Sequence, residues 1–539
     1  MPTEVPAGAA GLLFQLDIQA GGAASRIVSD ESWKCHRARC WPAGKYQRWF
    51  LRAIQEDFDA RQYPYGWNAE GFDDDAWVAP RVKQSYPGLP NIEDLPREGW
   101  HADWKLTPRS IPYMLEQPFT PAKLGPAGRI HWKIAPEEYF DCFSSDAFTE
   151  TVDPSVITPN PGGALFPLTA HVEEHGTTAV TFEFDEEISG HIFLRLRAPA
   201  GTVCDILYVE AQQPDKLMLR VSSSHAEWMR VTTRDGETVF ESFDYDALRW
   251  LQLLIRNTSG PVEILDARVN RRLYPYPQKP DLRTSSDTLN RVFQGSVNSH
   301  LITCQETIMD NVTRERQQYA GDVDHAKQAS YFAFGEYRQP RRMLHTFSQG
   351  QSADGWFLDC YPGWDRCTRL WQKHLSLTQW GPLIDHGMGF LMSVATYHLF
   401  SGDLDTVRAL YPRLQRFDKW LRAQVGPDGL LPVSGYTWND VWIDHFGWKT
   451  QADKVAALNI YYVGYLREGV ARLADLMHQP AVAAEARRRA DQTAALTRRL
   501  FWSPRHRLIV DNLPRLAQDG ELRLHDRTSA MALLYGIIP

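Results

Sequence analysis

The side-chain period of this 539-residue chain changes once, near Pro280, and that change constrains its fold more than any other feature. Before it, apolar and polar residues alternate in short runs such as Ala179–Phe184, His191–Leu196 and Val203–Val209, separated by Gly, Pro, Asn and Asp. Alternation sends neighbouring side chains to opposite faces, so these runs predict antiparallel sheets with one wet face, the texture of β-sandwiches. After Pro280 the spacing becomes helical. Ser286 can cap a helix whose apolar stripe is Leu289, Val292, Phe293, Val297 and Leu301. Further helices are predicted over about 322–337, 383–400, 403–425, 452–478, 480–500 and 527–537.

A chain of this length exceeds what one core serves, at roughly 150 residues per domain. The textures predict an N-terminal β-sandwich module with its linker over 1–115, a second β-sandwich over 116–279 and an all-α domain over 280–539. Helices following one another in pairs suggest hairpins arranged as a toroid or solenoid, and a closed toroid leaves a funnel at its loop end.

Composition excludes several function classes. With 58 Lys and Arg against 66 Asp and Glu the chain lacks the basic excess of a nucleic-acid partner. No run of about 18 apolar residues predicts a membrane span, and the first 24 residues lack a secretory leader pattern, so a cytoplasmic protein is expected. Seven scattered cysteines form neither a disulfide framework nor paired zinc-ligand spacing, and no calcium-binding loop is visible; no metal or other cofactor is expected. The excess is aromatic, with 19 Trp and 21 Tyr. Two long loops, 351–382 and 426–451, hold Trp356, Trp364, Trp371, Trp380, Trp438, Trp442 and Trp448. Trp also fills cores, but long loops on a rigid scaffold tend to build sites, and aromatic faces suit sugar rings.

One segment concentrates reactive groups: Asp310-Asn311-Val312-Thr313-Arg314-Glu315-Arg316-Gln317-Gln318-Tyr319-Ala320-Gly321-Asp322. Splitting a glycosidic bond needs a protonated carboxyl for the leaving oxygen, a carboxylate to activate water, and further polar groups to grip hydroxyls. The segment holds groups for the first and third tasks. Alternating Asp and Arg at a helix junction also serve as caps and surface pairs, so spacing alone leaves both uses open.

The same segment resembles the family 78 α-L-rhamnosidase signature Asp-Cys-Pro-x-Arg-Glu-Arg-x-x-Trp-x-Gly-Asp. Asp310, Arg314, Glu315, Arg316, Gly321 and Asp322 match it, while Asn311-Val312 stand for Cys-Pro and Tyr319 for Trp. The resemblance implies Glu315 as general acid and Asp310, Arg314 and Asp322 as holders of rhamnose hydroxyls, with Tyr319 stacking in place of Trp. A nearby carboxylate is a reason for a raised Glu315 pKa, opposed by Arg314 and Arg316. Other stretches similar to the family include Ile27–Lys34, Gly66-Trp67 through Trp77, Gly190–Glu210, Gln379-Trp380-Gly381, Asn459–Tyr462 and Thr528–Pro539. The resemblance therefore implies N-terminal β-sandwich modules followed by an incomplete (α/α)6 six-hairpin toroid, and a rhamnose-containing glycoside as partner.

Two departures qualify the implied site. Pro382 follows Trp380-Gly381 where the family has an acidic residue, and either Trp442 or Trp438 takes the place of its Asp-Trp pair near the sugar, with Trp442 preferred. Trp380, Trp438 and Trp442 are thus candidate substrate contacts. An inverting enzyme needs a base carboxylate, which the family carries as a Glu in a late loop beyond the segment matched by Tyr535–Pro539. The expectation is a fragment with acid and sugar grip but no base, Asp440 and Asp444 being the substitutes within the chain. A carbohydrate-binding protein with impaired catalysis and a six-hairpin glycosidase for another sugar remain as alternatives.

Overall fold

A computed structural model describes residues 12–42, 55–80, 108–213, 216–221, 227–361, 383–432, 454–513, 517–518, 521–522 and 524–538. The described residues before Pro280 are strand-rich and those after it are helical. A hairpin, β1 (Gln15–Ala20) with β2 (Ala23–Val28), stands with both faces exposed. Most other strands join one 11-stranded network built on two long strands, β9 (Thr177–Ala198) and β12 (Gly236–Arg256).

The two runs expected as separate strands, Ala179–Phe184 and His191–Leu196, are the two halves of β9. The intervening Asp185–Gly190 has turn composition but stays extended, because each half is held by different neighbours. The first half pairs with β5 (Lys123–Trp132) and the end of β12; the second pairs with the beginning of β12 and with β13 (Val262–Leu273). Gly190 lets β13 approach closely, since a Cβ there would lie 2.2 Å from the Asn270 carbonyl oxygen. Beyond these, β10 (Val203–Val209) joins β12 to β11 (Trp228–Thr232), and β3 (Asp57–Asp59), from the first 115 residues, adds in parallel to β11.

The register of β12 shifts between Glu241 and Tyr245 and again between Leu248 and Trp250. Such bulges bend a strand and redirect its side chains. Here the bulged stretch carries Asp244 and Asp246, both buried. Inside the network, Val180, Phe182, Ile192, Leu194, Leu251 and Leu253 share one core. Burial of each large apolar side chain contributes about 1.5–3 kcal/mol before chain entropy is counted.

The first helix, Asp287–Thr303, is capped by Ser286, whose Oγ accepts from the Leu289 N–H. Of its expected apolar stripe only Val297 is buried, with Leu289 and Val292 exposed and Phe293 and Leu301 partly covered; His300 and Ile302, outside that stripe, are buried. Contact with the sheet begins at Asn298, which donates to the Glu187 carbonyl and accepts from Arg271 of β13. Helices Asp324–Phe334, Ile384–Ser401, Leu404–Gln424, Pro480–Phe501 and Asp526–Leu534 fall where the periodicity predicts them. The stretch expected as one helix over 452–478 is helical from Ala456 to Leu476 and widens to a π-helix over Tyr465–Ala471. Helix Arg338–Ser348 is not among those predicted. Its polar start, Arg338-Gln339-Pro340, hides it, although proline in a first turn removes no helical hydrogen bond. One large core, including Leu344, Phe347, Phe390, Phe417, Leu458 and Leu466, unites these helices. Among the described residues, no helix is long and apolar enough to cross a membrane.

Candidate active site

Residues 304–323 connect the first helix to helix Asp324–Phe334, and the reactive segment lies in that connection. It is closed on itself at both ends. The Asp310 N–H donates to the Gln317 carbonyl (3.1 Å), and the Gln317 N–H donates to Asp310 Oδ1 (2.9 Å). Within the loop, Asn311 Oδ1 accepts from the N–H groups of Arg314 (2.8 Å) and Glu315 (3.0 Å), a local turn that asparagine side chains make well.

That turn brings two carboxylates together. Asn311 Nδ2 donates to Asp310 Oδ2 at 2.6 Å and to Glu315 Oε2 at 3.1 Å. Burial, together with a hydrogen bond to Glu315 and its negative charge, raises the Asp310 pKa well above the usual carboxylate range. Two such groups cannot both ionise cheaply in a partly desolvated site, so the pair keeps one proton near neutral pH and titrates as a unit. Arg314, half-exposed, forms an ion pair with Glu315 Oε1 at 2.8 Å. Replacement of the family's Cys-Pro by Asn311-Val312 therefore has a local consequence, because the Asn311 amide bridges the two acids.

Arg316 does not join Arg314 at this pair. Its backbone is left-handed, with φ 50°, and its fully buried guanidinium turns to β12. There Nη1 donates to Asp244 (3.0 Å), Nη2 to Asp246 (2.6 Å) and Nε to the Val312 carbonyl (2.5 Å). Of the two arginines expected to oppose a raised Glu315 pKa, Arg314 bonds to that carboxylate and Arg316 reaches to β12. Thr313 adds another tie by donating to Glu210, just beyond β10.

The far side of the loop packs against residues 359–361. Tyr319 bridges to Cys360, the Ala320 N–H donates to the Asp359 carbonyl, and Gln318 donates to the Tyr361 carbonyl (2.7 Å). Tyr319 is 8% exposed and meets the His386 ring edge-on at 6.1 Å. His386 stands 3.6 Å from Asp322 Oδ2 through Nε2, and its Nδ1 lies 3.2 Å from the Asp359 carbonyl. Gly321 permits this approach, since a Cβ there would lie 2.7 Å from the imidazole.

The loop thus brings Asp310, Arg314 and Glu315 together, and sets Tyr319 and Asp322 beside His386 on its other side. Trp380, Trp438 and Trp442, with Pro382, Asp440 and Asp444, lie outside the described residues. Sequence reasoning missed Asp244, Asp246, Asp359 and His386 as neighbours of the segment. Each is distant in sequence, and the one signal was the pair of acids flanking Tyr245 in Asp244-Tyr245-Asp246. Among the described residues, no group of three or more His, Cys, Asp or Glu is placed to hold a metal ion.

Beneath Asp244 lies another perturbed acid. Glu56 Oε1 accepts from the N–H groups of Phe243 and Asp244, while Oε2 is buried with no hydrogen-bond partner among the described residues. Burial pushes its pKa from 4.5 to about 7. The folded state therefore holds this proton more tightly than the unfolded chain, and its stabilising effect is lost as pH rises from 4.5 through 7. Glu56→Gln keeps the accepting oxygen and removes the titration. Relative to wild type, the variant is expected to gain roughly 1–3 kcal/mol between about pH 4.5 and 7.5, measured by denaturant unfolding. An unchanged difference across that window would contradict a buried, protonated Glu56.

Comparisons with known proteins agree with this architecture. Residues 277–539 match the bacterial alpha-L-rhamnosidase 6 hairpin glycosidase domain, and residues 3–91 match the alpha-L-rhamnosidase N-terminal domain. No curated protein matches the chain in sequence. Among solved structures it is similar to the GH78 family rhamnosidase of Bacillus sp. GL1, with a TM-score of 0.77 and 16% identity, over 97% of this chain and 70% of that one. The rhamnosidase from Klebsiella oxytoca with rhamnose bound matches at a TM-score of 0.60 and 16% identity, over 80% of this chain and 78% of that one. The Streptomyces avermitilis α-L-rhamnosidase complexed with L-rhamnose matches at 0.62 and 16% identity, over 98% of this chain but only 41% of its own length. At such identities the likeness concerns the fold, and the residue pattern around Glu315 accompanies the two domain matches. By these two domain matches, which together span most of its length, the chain belongs to the α-L-rhamnosidases, with a rhamnosidase N-terminal domain and a six-hairpin glycosidase domain.

Proposed function

We propose that this chain hydrolyses terminal α-L-rhamnosyl residues from glycosides with inversion at the anomeric carbon. The observation that carries the reading is the Asp310–Glu315 pair bridged by Asn311, two carboxylates held so close that burial and the Glu315 charge raise the Asp310 pKa. Glu315 delivers a proton to the glycosidic oxygen as the bond to the anomeric carbon breaks. Asp310, Arg314 and Asp322 hold sugar hydroxyls, and Tyr319 closes the sugar pocket. Water attacks from the opposite face and gives its proton to a second carboxylate, which inversion requires at about 6.5–9.5 Å from the acid. Asp440 and Asp444 are the candidates for that base within this chain.

The helical part is proposed as an incomplete (α/α)6 six-hairpin toroid over 280–539, with β-sandwich units over 1–115 and 116–279. Trp380, Trp438 and Trp442 are proposed to line its funnel. The rhamnose bound to the Klebsiella and Streptomyces proteins supports rhamnose as the sugar.

Incubation with p-nitrophenyl α-L-rhamnoside, followed by proton NMR of the sugar first released, tests the reading. Nitrophenol release with β-L-rhamnose appearing first is expected. The α anomer first would exclude inversion, and the absence of both turnover and calorimetric binding of L-rhamnose would remove the proposed rhamnoside hydrolysis by this chain.

A further inference from the structure

The mechanism above leaves unused the largest fully buried charged side chain among the described residues, Arg316. It directly follows Glu315, yet its guanidinium is spent on the strand-rich part. We propose that Arg316 is a positioning residue, and that the bulge of β12, through Asp244 and Asp246, sets the orientation of Glu315. The inference rests on Glu315 being the acid and adds that its geometry is determined from outside the helical domain.

Three observations converge. First, the guanidinium has an oxygen acceptor on each of its three nitrogens, Asp244, Asp246 and the Val312 carbonyl, and its carbon stands 4.6 Å from the centre of the Tyr245 ring. A planar fork held at three points and stacked on a ring has little rotational freedom, so the peptide joining Glu315 to Arg316 is fixed with it. Second, Arg316 has the left-handed φ of 50°, which strains a residue with a Cβ. The turn aims Glu315 at Asp310 and Arg316 at β12. Third, the contact is walled by an apolar cluster of Tyr245, Ala247, Ile302, Met309 and Val312, so water does not replace the lost partners at low cost.

Arg316→Ala alone would take the guanidinium away from two buried aspartates and destabilise the region, so two other replacements carry the test. Arg316→Lys keeps the charge but not the fork. The triple replacement Asp244→Asn, Asp246→Asn and Arg316→Met removes the ion pairs without leaving a charge. Both are compared with wild type in thermal unfolding, in kcat for an aryl α-L-rhamnoside, in calorimetric affinity for L-rhamnose and in the infrared titration of the protonated carboxyl band that Glu315→Gln abolishes.

The expected result for the folded triple variant is a kcat lowered about tenfold to a hundredfold, the cost of a misplaced reacting group, with rhamnose affinity within about threefold of wild type. The carboxyl band should titrate at a different pH, and Arg316→Lys should fall between wild type and the triple variant. Wild-type kcat and carboxyl titration in a folded triple variant would overturn the proposal. So would kcat and rhamnose affinity falling in parallel with the melting temperature, which marks a general loosening. If the wild-type chain neither cleaves nor binds rhamnosides, the proposed activity fails, and the infrared titration alone decides whether β12 positions Glu315.

Discussion

Glu315→Gln is expected to lower kcat by about 10²–10⁴-fold on an alkyl α-L-rhamnoside, the usual range for removing a positioned general acid. The effect should be smaller on p-nitrophenyl α-L-rhamnoside, because nitrophenolate leaves without needing a full proton. The amide keeps the size of the side chain and can still accept from Asn311, so affinity for L-rhamnose should change little. The contrast between the two leaving groups is the diagnostic quantity. An equal loss on both, or no loss on either, would take the acid role away from Glu315.

Asp310→Asn separates the pair from the single acid. In the wild type, burial and the charge of Glu315 keep a shared proton on these carboxyls. The active form carries that proton, so activity is lost as pH rises through the upper pKa of the pair. The uncharged amide of the Asp310→Asn variant no longer disfavours ionisation of Glu315, while Arg314, 2.8 Å from it, still favours ionisation. The alkaline limb of the kcat profile is therefore expected to move to lower pH by at least about one unit, with activity at neutral pH reduced about tenfold or more. A limb that stays in place in a folded variant would show that the two acids titrate independently.

Much of this protein was legible in the order of its residues because the relevant interactions are local. Alternation over His191–Leu196 in β9 and helical spacing around Leu404–Gln424 each report which face of an element is buried, and that depends on neighbours only a few residues away. The segment Asp310–Asp322 was legible for a similar reason, since the acids and arginines that meet there lie within thirteen residues. Three features were not legible. Composition around Asp185–Gly190 predicts a turn, but pairing to β12 and β13 keeps it in one strand. The helical stripe of Asp287–Thr303 overstates its buried face, because burial depends on where the sheet ends. Arg316 was expected to oppose protonation of its neighbour, and the backbone turned it away.

The sequence by itself determined the division into strand-rich and helical parts, the rhamnosidase signature and the set of groups available for acid catalysis. Only the tertiary structure decided which of those groups act on one another. The Asp310–Glu315 bridge depends on a loop closed by Gln317, and the fate of Arg316 depends on a bulge 70 to 72 residues earlier. Electrostatic effects fall off with distance in space and strengthen with burial, and neither quantity is written in sequence spacing.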